Sequence, residues 1–92
     1  MRVTSIPNDP KIDLALRSAF IRQGPSREAH FILESIRTLG NSEINQLKKE
    51  GCEVTPLAGN LYSAIAKLGS IFQIAALDFI KYLELKKEKQ MH

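Results

Sequence analysis

The 92-residue sequence is poor in the residue types that build covalent and metal sites. It contains one cysteine, Cys52, no tryptophan, and two histidines, one of which is the terminal His92. A single cysteine excludes an internal disulfide and any zinc site made of several cysteines. It is also typical of proteins kept in a reducing compartment, so we predict a cytoplasmic location.

Long apolar segments are also missing. The longest uncharged stretch in the apolar C-terminal half spans residues 54–66, whereas a transmembrane helix needs about 20 apolar residues. The first ten residues lack the apolar segment of a signal peptide. We therefore expect a soluble protein without a membrane partner.

No block of one charge sign is present. The 13 basic and 10 acidic residues give a net charge of +3, and the excess is split between the two ends of the chain. Such a distribution does not by itself indicate a nucleic-acid partner. The hydrophobic and charged fractions, 43% and 25%, are ordinary for a globular protein, and the length predicts one domain over residues 1–92.

Catalytic motifs are absent from the sequence. There is neither a glycine-rich phosphate loop nor an H-E-x-x-H motif. His30 and Glu34 have the i, i+4 spacing of two metal ligands on a helix, but no further ligand is evident, so we predict a solvated pair and no metal site. Glu53 beside Cys52 would raise the thiol pKa and lower its reactivity. The sequence therefore predicts a protein that is neither an enzyme nor a cofactor binder.

Proline and glycine divide the first half of the chain into an arm and three short helices. Residues 1–8 form the predicted arm, in which an extended segment can only be short, because Pro7 and Pro10 prevent a continuous element from crossing. Helix one runs from Pro10, capped by Asn8 or Asp9, to Gly24, helix two from Ser26 to Gly40, and helix three from Asn41 or Ser42 through Glu50 to Gly51. Phe31 lies off the apolar face of helix two, so we expect it at the surface.

The second half of the chain has the apolar spacing of one long helix from Thr55 to Lys89, in which Gly69 offers a place for a break. Thr55 and Pro56 match a cap and a first helical residue. Apolar residues then recur in steps of four and three, at Leu61, Ile65, Leu68, Phe72, Ala75, Phe79 and Tyr82. The predicted fold is all-α, a compact bundle of three short helices packed on one long C-terminal helix.

The long helix presents more apolar surface than so small a core can cover, which favours a protein partner. The surplus residues are Leu14, Ile21, Ile74, Leu77 and Leu85. We predict that they bind a second copy or another protein, most simply in a dimer through the C-terminal helix. The function would then be that of a small non-enzymatic regulator, inhibitor, adaptor or chaperone. If the long helix breaks at Gly69 and folds back, the same residues are covered within one chain.

The order of helices also permits a helix-turn-helix DNA-binding regulator. Residues 55–68 would be the recognition helix, ending at Gly69, and its polar face carries the possible DNA contacts Asn60, Ser63 and Lys67. Only one of these is basic, although phosphate contacts normally need several lysines or arginines. Nucleic acid is therefore the alternative partner.

Overall fold

The computed structural model describes residues 10–86, which form an α+β fold with a four-stranded antiparallel sheet and three short helices. The predicted all-α bundle is therefore wrong. The predicted arm, residues 1–8, lies outside the described residues. The elements in chain order are α1 (Leu14–Gln23), β1 (Glu28–Ser35), α2 (Asn41–Lys49), β2 (Glu53–Ala58), β3 (Leu61–Lys67), a 3-10 turn (Leu68–Ser70), α3 (Ile71–Ala75) and β4 (Ile80–Leu85).

The sheet has the strand order β2-β3-β1-β4. β1 lies inside it and pairs on one side with β3, from Glu28 opposite Lys67 to Glu34 opposite Leu61, and on the other with β4. Because α2 connects β1 to β2, and α3 connects β3 to β4, each crossover leaves room for a strand between the two strands that it joins. This is the split β-α-β arrangement.

The core lies on one face of the sheet. Ala29, Phe31 and Leu33 alternate along β1 and are buried, and their cross-strand partners on β3 are Ala66, Ala64 and Tyr62. The helices and the turns that cover this face bury a further apolar set, consisting of Ile12, Leu16, Ala19, Leu47, Leu68, Ile71, Ile74, Ala75 and Phe79. The predicted bundle is therefore replaced by two layers, one of helices and one of strands.

Predicted helix two is the strand β1 followed by a loop. The segment satisfies two periods at once, because Ala29, Ile32 and Leu33 have helical spacing while Ala29, Phe31 and Leu33 alternate. The alternating set is the one that the fold buries, and Phe31, expected at the surface, has no exposed area. Pairing on both edges satisfies the backbone polar groups of this buried segment, and its aromatic and branched side chains suit a strand.

The predicted long helix is replaced by a hairpin, a short helix and a strand. β2 and β3 are joined by Gly59 and Asn60, with Gly59 at φ 55°, a left-handed conformation that glycine adopts without strain. Thr55 and Pro56 lie within β2 and do not cap a helix. Gly69 lies in the 3-10 turn, where its N–H donates to the Pro25 carbonyl at 2.9 Å and an added Cβ would be 2.8 Å from Pro25 Cβ.

The two other short helices are present. Helix three is confirmed as α2, which Gly51 terminates at φ 78°, but its cap is Gly40 and not the predicted Asn41 or Ser42. Helix one is confirmed as α1, which ends at Gly24, but it begins at Leu14 with Asp13 as its cap. The predicted start at Pro10 is wrong because residues 11–13 instead run beside β4. Among residues 10–86, no helix combines the length and the apolarity needed to cross a membrane.

Replacing Phe31 by alanine tests this assignment of the core. We expect a loss of about 3 to 5 kcal/mol in the free energy of unfolding, because the substitution leaves a cavity under the middle of the sheet. Replacing Leu14, whose side chain is 68% exposed, should change it by no more than about 0.5 kcal/mol. Urea unfolding followed by circular dichroism measures both. Small effects of equal size in the two variants would contradict the burial of Phe31 in the core.

Candidate functional site

The face of the sheet opposite the helices is uncovered by any element among residues 10–86. Strand alternation and the pairing register place the following residues on it, and we call them the open face: Glu28, His30, Ile32 and Glu34 of β1, Glu53 and Thr55 of β2, Leu61, Ser63, Ile65 and Lys67 of β3, and Tyr82 and Glu84 of β4. Each is exposed or only half-buried.

The centre of the open face is apolar. Ile32 and Ile65 are half-buried on the two inner strands, Tyr82 is half-buried on β4, and Leu61 is 39% exposed. Beside the hairpin, Leu57 exposes 53% of its surface. Ile32 is a diagonal neighbour of both Ile65 and Tyr82. Apolar groups that lie near one another on a surface left uncovered by residues 10–86 are typical of a protein-binding surface, whereas single exposed residues are ordinary.

Charged residues surround this apolar centre, and four glutamates outnumber the two lysines, so the rim is acidic. Glu28 lies directly opposite Lys67, and Glu34 forms an ion pair with Lys81 at 3.6 Å. Glu53 and Glu84 have no ion pair within residues 10–86. An apolar centre with a polar rim is the usual composition of a protein interface, whereas a phosphate-binding surface would be distinctly basic.

The open face brings a histidine and a serine near each other without joining them. His30 is opposite Ile65 and Ser63 is opposite Ile32, so the two are diagonal neighbours. In the described part of the chain, no hydrogen bond connects them, whereas a nucleophile and its base need contact at about 3 Å. The predicted His30 and Glu34 pair is also not formed, since residues four apart in a strand lie roughly 13 Å apart and Glu34 contacts Lys81.

Residues 10–86 contain neither a metal-binding cluster nor a reactive thiol. No group of three or more His, Cys, Asp or Glu residues there could hold a metal ion. Cys52 is 1% exposed, and burial, with a smaller effect of the neighbouring Glu53 charge, raises the pKa of its thiol to about 12. The thiol is therefore protonated and unreactive near neutral pH, in agreement with the effect of Glu53 expected from the sequence.

The predicted interface residues are distributed over separate elements. Leu14 and Ile21 are exposed on α1, at 68% and 64%, whereas Ile74 on α3 is fully buried in the core. Leu77 and Leu85 are half-buried and pack against that core. Because residues 53–85 form strands and a short helix, the predicted dimer through one long C-terminal helix has no basis in this fold. An interface role for the five residues stays a prediction.

The helix-turn-helix alternative is wrong because residues 53–67 form a hairpin of two strands. Asn60 lies in its turn, where its carbonyl accepts a hydrogen bond from the Ser35 N–H at 3.0 Å. Ser63 and Lys67 lie on the open face, Ser63 opposite an isoleucine and Lys67 opposite a glutamate. Sequence reasoning missed Ile32, Ile65 and Tyr82 as a surface, although the alternation along each strand contained the signal.

Comparisons with known proteins give one structural likeness. No protein-family model matches the chain, and no curated protein matches it. The chain resembles a chain in the structure of the Clostridium perfringens CspB protease, with a TM-score of 0.62 and 20% identity, over 100% of this chain and 98% of that one. The two chains are therefore nearly equal in length. At this identity the likeness establishes the fold.

This likeness corrects the functional predictions. The protein was predicted to be a non-enzymatic regulator or a DNA-binding regulator, and not an enzyme. The similar structure is that of a protease, which contradicts these predictions, and at 20% identity the likeness itself shows the fold alone. No catalytic motif in the sequence pointed to a protease.

The burial of Cys52 predicts how the free energy of unfolding changes with pH. Above pH 9, the ordinary pKa of the thiol, the unfolded chain loses this proton while the folded chain keeps it until about pH 12. The free energy of unfolding should therefore fall as pH rises above 9. The difference between the wild type and Cys52→Ala, measured by urea unfolding from pH 7 to pH 10.5, isolates this effect. A difference that does not change with pH would contradict the burial of the thiol.

Proposed function

We propose that this chain is an accessory domain of a protease and packs through its open face on the catalytic part of that enzyme. The observation that carries the proposal is the likeness to a chain of the CspB protease structure over nearly the whole of both chains. Because this likeness spans the whole α+β unit, the unit as such is what the two chains share.

The distribution of chemical groups supports an accessory role. Peptide hydrolysis needs a nucleophile or an activated water held by converging groups. In residues 10–86 the buried Cys52 is protonated, and His30 makes no hydrogen bond to Ser63. The groups that cleave the peptide bond would therefore belong to another part of the protease.

The shape of the domain supports docking through the sheet. One face is covered by helices, whereas the open face has an apolar centre and an acidic rim. Burying Ile32 and Ile65 against a partner would stabilise the complex, since each Å² of apolar surface removed from water contributes roughly 25 cal/mol before the costs of association. The partner would be a protein surface that is itself partly apolar.

The single buried thiol also bears on location. Cys52 is free and needs no oxidising environment. We propose a reducing compartment such as the cytoplasm as the place where the domain acts.

Binding to a protease tests the proposal. The probe is the C. perfringens CspB protease prepared without the chain that this protein resembles. The purified 92-residue protein should form a complex with it, measured by biolayer interferometry. Ile32→Glu should raise the Kd by more than tenfold, because a carboxylate would lose its water in the interface.

Leu14→Glu and Ile21→Glu on α1 are the matched controls, since each places the same charge at an exposed apolar position outside the sheet. Both should bind as the wild type does. Absence of any complex would overturn the proposal, as would hydrolysis of casein by the isolated chain. Loss of binding in the α1 variants alone would instead support the interface predicted from Leu14 and Ile21.

A further inference from the structure

We infer that Asp13 is a clasp, by which we mean that its carboxylate joins the start of α1 to the C-terminal end of β4 at Leu85. Loss of this contact opens the Leu85 amide to water without opening the middle of the sheet. This inference concerns the free protein and does not depend on the proposed function. It assigns Asp13 a positioning role, because β4 carries Tyr82 and Glu84 to the open face.

The outer edge of β4 is satisfied by a short segment before α1. The Leu83 N–H donates to the Lys11 carbonyl at 2.7 Å, and the Asp13 N–H donates to the Leu83 carbonyl at 2.9 Å. Ile12 and Leu83 thus form an isolated parallel bridge. Residues 11–13 therefore pair with β4 at one position only and do not form a strand of the sheet.

Leu85 is the next residue of β4 whose N–H points to this outer edge, because outward and inward groups alternate along a strand. The main chain cannot meet it, since α1 begins at Leu14. The Asp13 carboxylate takes this place, with Oδ2 accepting from the Leu85 N–H at 3.0 Å. The side chain therefore adds one rung to the ladder after the backbone has turned away.

The same carboxylate caps α1. Asp13 Oδ1 accepts from the Ala15 N–H at 3.1 Å, so one side chain satisfies an orphan donor of a helix and an edge donor of a strand. Lys11, two residues earlier, donates from Nζ to the carbonyls of Ala75 and Leu77 at 2.9 and 3.3 Å. The entry segment thereby contacts the end of α3 as well as β4.

Two variants separate the clasp from the cap. Serine is as good a helix cap as aspartate but is too short to reach Leu85 as well, so Asp13→Ser should keep the cap and lose the rung. Asp13→Ala should lose both. Amide hydrogen exchange resolved by NMR measures the opening of each position, with Leu33 in the middle of the sheet as the internal reference.

In Asp13→Ser, exchange of the Leu85 amide should accelerate at least tenfold, while that of Leu33 stays within about threefold of the wild type. Asp13→Ala should accelerate Leu85 similarly and also destabilise α1. Unchanged Leu85 exchange in Asp13→Ser would show that Asp13 is a helix cap only. Equal acceleration at Leu85 and Leu33 would show a general loss of stability, and either result would overturn the inference.

Discussion

The pairing of β1 on both of its edges is the constraint on which the rest of the structure depends. β1 connects the hairpin of β2 and β3 to β4, and its Phe31 and Leu33 have no exposed area. Once this strand is in place, alternation decides which side chains enter the core and which reach the open face. A shift of one residue would exchange the two sets, so the same pairing defines both the core and the proposed docking surface.

The helix layer and the entry segment hold this sheet in one arrangement. α1 and α3 cover the same side, where Phe20 and Phe72 contact edge to face with ring centroids 5.1 Å apart. Residues 11–13 bind β4 through the backbone, and the side chains of Lys11 and Asp13 extend those contacts to α3 and to Leu85. The open face is thus formed jointly by four strands from different parts of the chain.

Local signals in the sequence were sufficient for the existence and the C-terminal ends of α1 and α2, and were misleading elsewhere. Gly24 and Gly51 end their helices as predicted, since each has positive φ. Over residues 28–35 and 61–67 the apolar residues fit helical and strand spacing alike, and only long-range pairing decides between them. The open face could not be predicted, because Ile32, Ile65 and Tyr82 become neighbours through strands distant in sequence. The likeness to a protease structure could not be predicted either, because the sequence contains no catalytic motif that points to it.

Inter-strand contacts of β1 test the account most directly. In an antiparallel sheet the α protons of residues opposite each other in non-hydrogen-bonded pairs lie very close, and the register makes Leu33 with Leu83, and Ile32 with Ser63, such pairs. The account predicts strong nuclear Overhauser contacts between these α protons in the isolated protein. Their absence, together with contacts between residues three apart within 28–35, would show a helix there and contradict both the core and the open face.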